Sequence, residues 1–99
     1  MDAIHQMLEA MGSSPDQVAE TLRQAGVRGM RDSTSFMNPV VRHLNRTLNI
    51  GGRLEVGAGG TVLRVQREGK VKEVPLPVPV QAFLDCFHRG LYPDLETAG

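Results

Sequence analysis

Three histidines and one cysteine are the residues with the most obvious chemistry to offer. A zinc centre needs three or four converging ligands. His5, His43 and His88 stand far apart in the chain, and none has a second His or Cys one helical turn away. Cys86 and His88 are two apart on an expected helix, so they point in different directions. No metal and no cofactor is therefore expected. As a nucleophile, Cys86 would need a neighbouring base and an electropositive pocket. Beside Phe87, it reads as a structural thiol. Ser33, Thr34 and Ser35 read as turn and capping hydroxyls. Gly57-Ala58-Gly59-Gly60 is glycine-rich, but a phosphate loop leads from a strand into a helix. Here a strand follows, which makes the stretch a hairpin loop. Asp94 and Glu96 lie near the end of the chain and Asp32 sits beside Arg31, so no two carboxylates are set to face each other. With no acid–base pair and no nucleophile–base pair to nominate, the chain is expected not to be an enzyme.

The arginines and lysines are more informative. Formal net charge is zero, yet the charges are segregated. Met1 to Leu22 holds four acids and no Lys or Arg, Arg23 to Lys72 holds ten bases and three acids, and Glu73 to Gly99 holds four acids and one base. A basic middle between acidic ends suits docking to an acidic partner. The ends are expected to pack beside the middle and partly neutralise it. Arg42 and Arg46 stand one helical turn apart, and Arg64, Arg67, Lys70 and Lys72 flank a turn between two strands. The candidate contacts are Arg42, Arg46, Arg64 and Arg67, with Phe36 and Met37 as apolar anchors in an otherwise polar loop. The expected partner is another protein or a second copy of the chain.

Nucleic acid is the alternative partner. A helix followed by a basic hairpin resembles, in topology only, the recognition helix and wing of winged-helix proteins. That resemblance implies duplex binding through the basic segment 23–72. The chain departs from the pattern in one respect, since Gly26 to Asn38 is too long for the tight turn before a recognition helix. It also has no Trp, and Tyr92 lies outside the basic segment, so platforms for stacking single-stranded bases are missing.

The elements that must position these residues follow from hydrophobic spacing. Ile4, Met7, Leu8 and Met11 recur at helical intervals and predict a first helix over Ala3 to Met11. Ser14, Pro15 and Gln17 form a capping box with proline in the first turn, so a second helix starts at Pro15. Its apolar stripe, Val18, Leu22 and Ala25, is thin and is expected to pack on the first helix. Val27 to Ser35 reads as loop. Asn38 caps a third helix, in which Val40, Val41, Leu44 and Leu48 form the apolar face and Arg42, His43, Asn45 and Arg46 lie largely away from it. Near Gly51 the spacing changes to every second residue. Three strands are expected: Arg53 to Val56, Thr61 to Gln66, and Lys70 to Val74 after a Glu68-Gly69 turn. Pro75, Pro77 and Pro79 stop the last strand. A fourth helix spans Pro79 to Arg89 on Val80, Phe83, Leu84 and Phe87, after which Leu91-Tyr92-Pro93 is expected to fold back over the core.

The expected fold is therefore α+β: three N-terminal helices, a three-stranded antiparallel β-meander, and a C-terminal helix packed on the sheet. With 99 residues, 40% of them hydrophobic, the chain suits a single domain over 1–99 with a loose tail from 96 to 99. A lone cysteine forms no internal disulfide. No apolar run is long enough to cross a membrane and no leader pattern opens the chain, so the cytoplasm is the expected compartment and a membrane is not an expected partner.

Overall fold

The computed structural model describes residues 2–30, 38–48, 53–57 and 60–96. In chain order the elements are helix α1 (Asp2–Ala10), α2 (Pro15–Ala25) and α3 (Pro39–Leu48), strands β1 (Arg53–Val56), β2 (Val62–Arg67) and β3 (Lys70–Pro75), and helix α4 (Val78–His88). A short 3-10 turn, Pro93–Leu95, follows α4. The sheet is antiparallel in the order β1-β2-β3. The α+β class and the order of elements match the sequence expectation, with α1 and α4 each beginning and ending one residue earlier and β2 one residue later.

Local chemistry sets the helix starts. Ser14 Oγ accepts from Gln17 N–H at 3.2 Å, as a capping box requires. The return bond is displaced by one residue: Gln17 Oε1 accepts from Ser13 N–H at 2.7 Å and from the Ser13 hydroxyl at 2.8 Å. Asn38 Oδ1 accepts from Val41 N–H at 2.9 Å and caps α3 from a fully buried position. Burial makes that amide expensive to lose, because Val41 N–H has no water to turn to. Pro79 sits in the first turn of α4, where its missing N–H removes no helical bond.

Between β2 and β3, Glu68 (φ 51°) and Gly69 (φ 77°) both adopt positive φ. A two-residue hairpin turn of this hand matches the twist of its strands. It pairs Arg67 with Lys70, Val65 with Lys72, Leu63 with Val74 and Val62 with Pro75. Leu76 N–H donates to Thr61 C=O at 2.9 Å one step further along. Alternation along an antiparallel ladder then directs the N–H groups of Lys70, Lys72 and Val74 at β2, and those of Val71 and Glu73 away from it. Pro75 falls on the outward set, where the absence of an N–H breaks no bond.

One face of the sheet is buried. Leu54 and Val56 of β1, Leu63 and Val65 of β2 and Val74 of β3 join a single cluster with Leu8 of α1, Met11 just after it, Leu22 of α2, Val41 and Leu44 of α3, and Val80, Phe83 and Phe87 of α4. Each such side chain contributes about 1.5–3 kcal/mol on leaving water. The broadest helix–helix contact joins α2 to α4, while α1 leans on α3. This corrects the expectation that α1 is the main partner of α2: the α2 stripe shares its core with the apolar face of α4, which carries two buried phenylalanines. The turn after α1 is tied to α2, since the Thr21 hydroxyl donates to Met11 C=O at 2.7 Å.

After α4 the chain folds back through Tyr92 as expected, with Leu95 rather than Leu91 as the buried apolar residue. Tyr92 packs against Phe83 with ring centroids 5.1 Å apart, and Leu95 is 2% exposed, whereas Leu91 is 61% exposed. Glu96, the first residue of the expected tail, is held in place. Gly29 N–H donates to Leu95 C=O at 2.9 Å, and Gly29 and Glu96 form a parallel bridge. Residues 97–99 lie outside the described residues. Gly29 is a place where nothing larger fits: a Cβ there would stand 2.4 Å from Pro39 N.

Candidate interaction surface

On α3, Val40, Val41 and Leu44 face the core and leave Arg42, Asn45, Arg46 and Thr47 exposed. Arg46 Nη1 lies 3.4 Å from Ala25 C=O, at the C-terminal end of α2 where helix carbonyls carry partial negative charge. Among the described residues, neither Arg42 nor Arg46 pairs with a carboxylate. His43 differs from the expectation that it lies away from the apolar face. It is half-buried, and its Nδ1 is buried without a hydrogen-bond partner among the described residues. Burial, and secondarily the Arg46 charge, push its pKa below the ordinary histidine value. The helix therefore carries two arginine charges at neutral pH and a neutral imidazole.

The sheet separates residues that stand close together in sequence. On its outer face Glu55, Arg64 and Glu73 form one cross-strand row. Arg64 Nε is 3.4 Å from Glu73 Oε2. Arg64, nominated as a contact residue, is therefore flanked by carboxylates in the neighbouring strands. Arg67 lies three positions further on and so faces the other way. Its register partner Lys70 shares that face, as does Lys72 in the adjacent row.

This is the face that the helices bury, yet Arg67, Lys70 and Lys72 are exposed. The row Val56, Leu63, Val74 is buried throughout. In the next row Leu54 and Val65 are buried and Lys72 is not. Cover thus ends part-way across the second row, and the far end of the β2–β3 hairpin projects beyond it with three cations on one side. Lys70 and Lys72 complete this group although neither stood among the candidate contacts. The signal was present in the sequence, since a Glu68-Gly69 turn together with a period of two places both beside Arg67.

Elsewhere the basic segment is neutralised from both ends of the chain, as expected. Arg23 forms an ion pair with Asp94, and its Nη1 lies 3.2 Å from Glu20 Oε1. The Asp94 carboxyl is held below its usual pKa chiefly by the Arg23 hydrogen bond, with a small contribution from Arg28. The Glu20 carboxyl is lowered first by Gln24 and then by Arg23. Tyr92 Oη donates to Asp16 at 2.8 Å, and its ring lies 6.0 Å from the Arg23 guanidinium. Burial first, and this bond second, push the Tyr92 hydroxyl up to about 12.

Phe36 and Met37, the proposed apolar anchors, lie outside the described residues, as does Arg31. Among the described residues, no three His, Cys, Asp or Glu side chains converge as a metal site would need, and no helix is long and apolar enough to cross a membrane. Cys86 is half-buried on α4. No family model, no curated protein and no solved structure matches this chain.

Proposed function

We propose that this chain is a non-enzymatic docking module of the cytoplasm that binds another protein through its uncompensated cations. One observation supports the reading. The basic middle is divided, with Arg23 and Arg64 paired to acids while Arg42 and Arg46 on α3, and Arg67, Lys70 and Lys72 at the hairpin end, are left as small separate groups. A duplex binder gains affinity by setting many cations along one phosphate track. Small cationic groups set among acids suit the mixed rim of a protein interface.

The test compares the chain with two double variants, Arg42→Glu with Arg46→Glu, and Lys70→Glu with Lys72→Glu. Each should leave the melting curve nearly unchanged, because all four side chains are exposed, with a small loss allowed for the arginine pair where Arg46 leaves Ala25 C=O. At least one should lose a protein that the unaltered chain retains in a pull-down from the native host. Titration with mixed duplex and single-stranded DNA at two salt concentrations addresses the winged-helix-like alternative. Tight binding at low salt that falls steeply as salt rises would replace the docking reading with that one.

A further inference from the structure

The free edge of β3 makes the partner's chemistry more specific. The strand borders the sheet, and among the described residues no strand pairs with its second edge. Lys70, Val71, Lys72, Glu73 and Pro75 are all exposed, Val71 at 60%. The outward backbone groups are the N–H and C=O of Val71 and Glu73, with the C=O of Pro75, so the edge is a short ladder awaiting a strand.

A second copy of this chain is a poor occupant. Antiparallel self-pairing must match outward residues with outward residues, which leaves three registers that overlap most of the strand. They set Lys72 against Lys72, Lys70 against Lys72, or Glu73 against Glu73. Like charges directly opposite are unfavourable in each. The same lysines that block self-pairing offer two positive positions, at i and i+2 on one face, to a strand carrying acids at the matching spacing. We propose that an acidic, extended segment of another protein adds to the sheet antiparallel to β3. Two carboxylates of that segment sit opposite Lys70 and Lys72, and apolar residues sit opposite Val71 and Val74. This rests on the docking reading and names the class of its partner.

The probe is the peptide Thr-Val-Thr-Glu-Val-Glu-Thr, whose glutamates fall opposite Lys72 and Lys70 in that register. Millimolar peptide added to the isotope-labelled chain should move the Val71 and Glu73 amide resonances most and slow their hydrogen exchange. Val71→Pro removes an outward N–H without removing a bond to β2, and should weaken binding about tenfold or more. Reversing both lysine charges, with Lys70→Glu and Lys72→Glu, should do the same, since two attractive cross-strand pairs become repulsive. The amide pattern of the unaltered chain stands as a test even if Val71→Pro perturbs the strand.

Unmoved Val71 and Glu73 amides would overturn the edge assignment, as would shifts centred on Arg42 and Arg46. So would duplex DNA that moves the same amides and displaces the peptide. If the edge fails while the pull-down partner still depends on Lys70 and Lys72, docking survives and strand addition does not. If that dependence is lost as well and the α3 variant also keeps every partner, both readings fall.

Discussion

Two charged segments leave the main stack of helices and sheet, and the fold treats them oppositely. Residues 92–96 after α4 carry Asp94 and Glu96, and the end of the β2–β3 hairpin carries Arg67, Lys70 and Lys72. The first segment is tied down by Tyr92 to Asp16, Asp94 to Arg23 and Leu95 to Gly29. The second is held by its own ladder and turn, and its cations have no carboxylate partner among the described residues. Each has a charge run in sequence, and the difference is a buried anchor. Leu95 enters the core and brings its charged neighbours against α2, whereas no residue between Arg67 and Glu73 is buried. Charge alone therefore does not separate a structural contact from an available one.

The largest expected effect removes the anchor. Leu95→Ala should cost about 2–5 kcal/mol in chemical denaturation, the range for truncating a buried leucine. A loss below about 1 kcal/mol would mean that the closure is not anchored there.

A smaller effect is expected from Tyr92→Phe, which keeps the ring on Phe83 and deletes the bond to Asp16. About 1 kcal/mol should be lost at neutral pH. The alkaline limb supplies a sharper reading. A tyrosine whose folded pKa is raised from 10 to about 12 favours the fold below the unfolded value. That contribution disappears as pH rises from 10 towards 12, so Tyr92→Phe should flatten the stability profile in that window. At the acid end the sign reverses. Asp94, with its pKa lowered, contributes above the ordinary carboxylate value and loses that contribution as pH falls through the folded one. Arg23→Ala should reduce that acid-side slope.

At the hairpin, Glu68→Asn should stabilise by about 0.5–1 kcal/mol, because Asn tolerates positive φ better than Glu and Asn-Gly suits this turn. Smallest of all, Lys70→Ala should change stability by no more than about 0.5 kcal/mol. A loss of more than twice that would place Lys70 in an intramolecular role and remove the contrast between the two segments.

What was legible in the sequence was local. Ser14-Pro15, Asn38-Pro39 and Glu68-Gly69 each declare a cap or turn within four residues, and each sits where expected. The spacing of Val40, Val41 and Leu44, or of Leu63 and Val65, declares which face is buried. The ties between segments were not legible. Arg23 meets Asp94 from 71 residues away and Tyr92 meets Asp16 from 76, and no periodicity encodes such meetings. Segregated charge predicted that ends and middle would neutralise each other, without saying which pairs would form.

The candidate surface was half readable. Arg42 and Arg46 fell on the exposed side of α3 as their spacing requires, and Arg67 is exposed as well. Arg64 was grouped with Arg67 by proximity in sequence, although an odd separation on a strand puts them on opposite faces. Where helical cover stops depends on how long the β2–β3 ladder is relative to the helices above it, and no single residue states that.

Gly29 carries one further consequence. Its amide hydrogen is held by Leu95 while its α-carbon lies against Pro39, so three distant stretches of chain share one residue with no room for a side chain. Deuterium uptake at that single amide reads the opening of the C-terminal closure from the opposite side of the joint. A spectroscopist following Gly29 alone can watch the closing segment leave and return without placing any label on it.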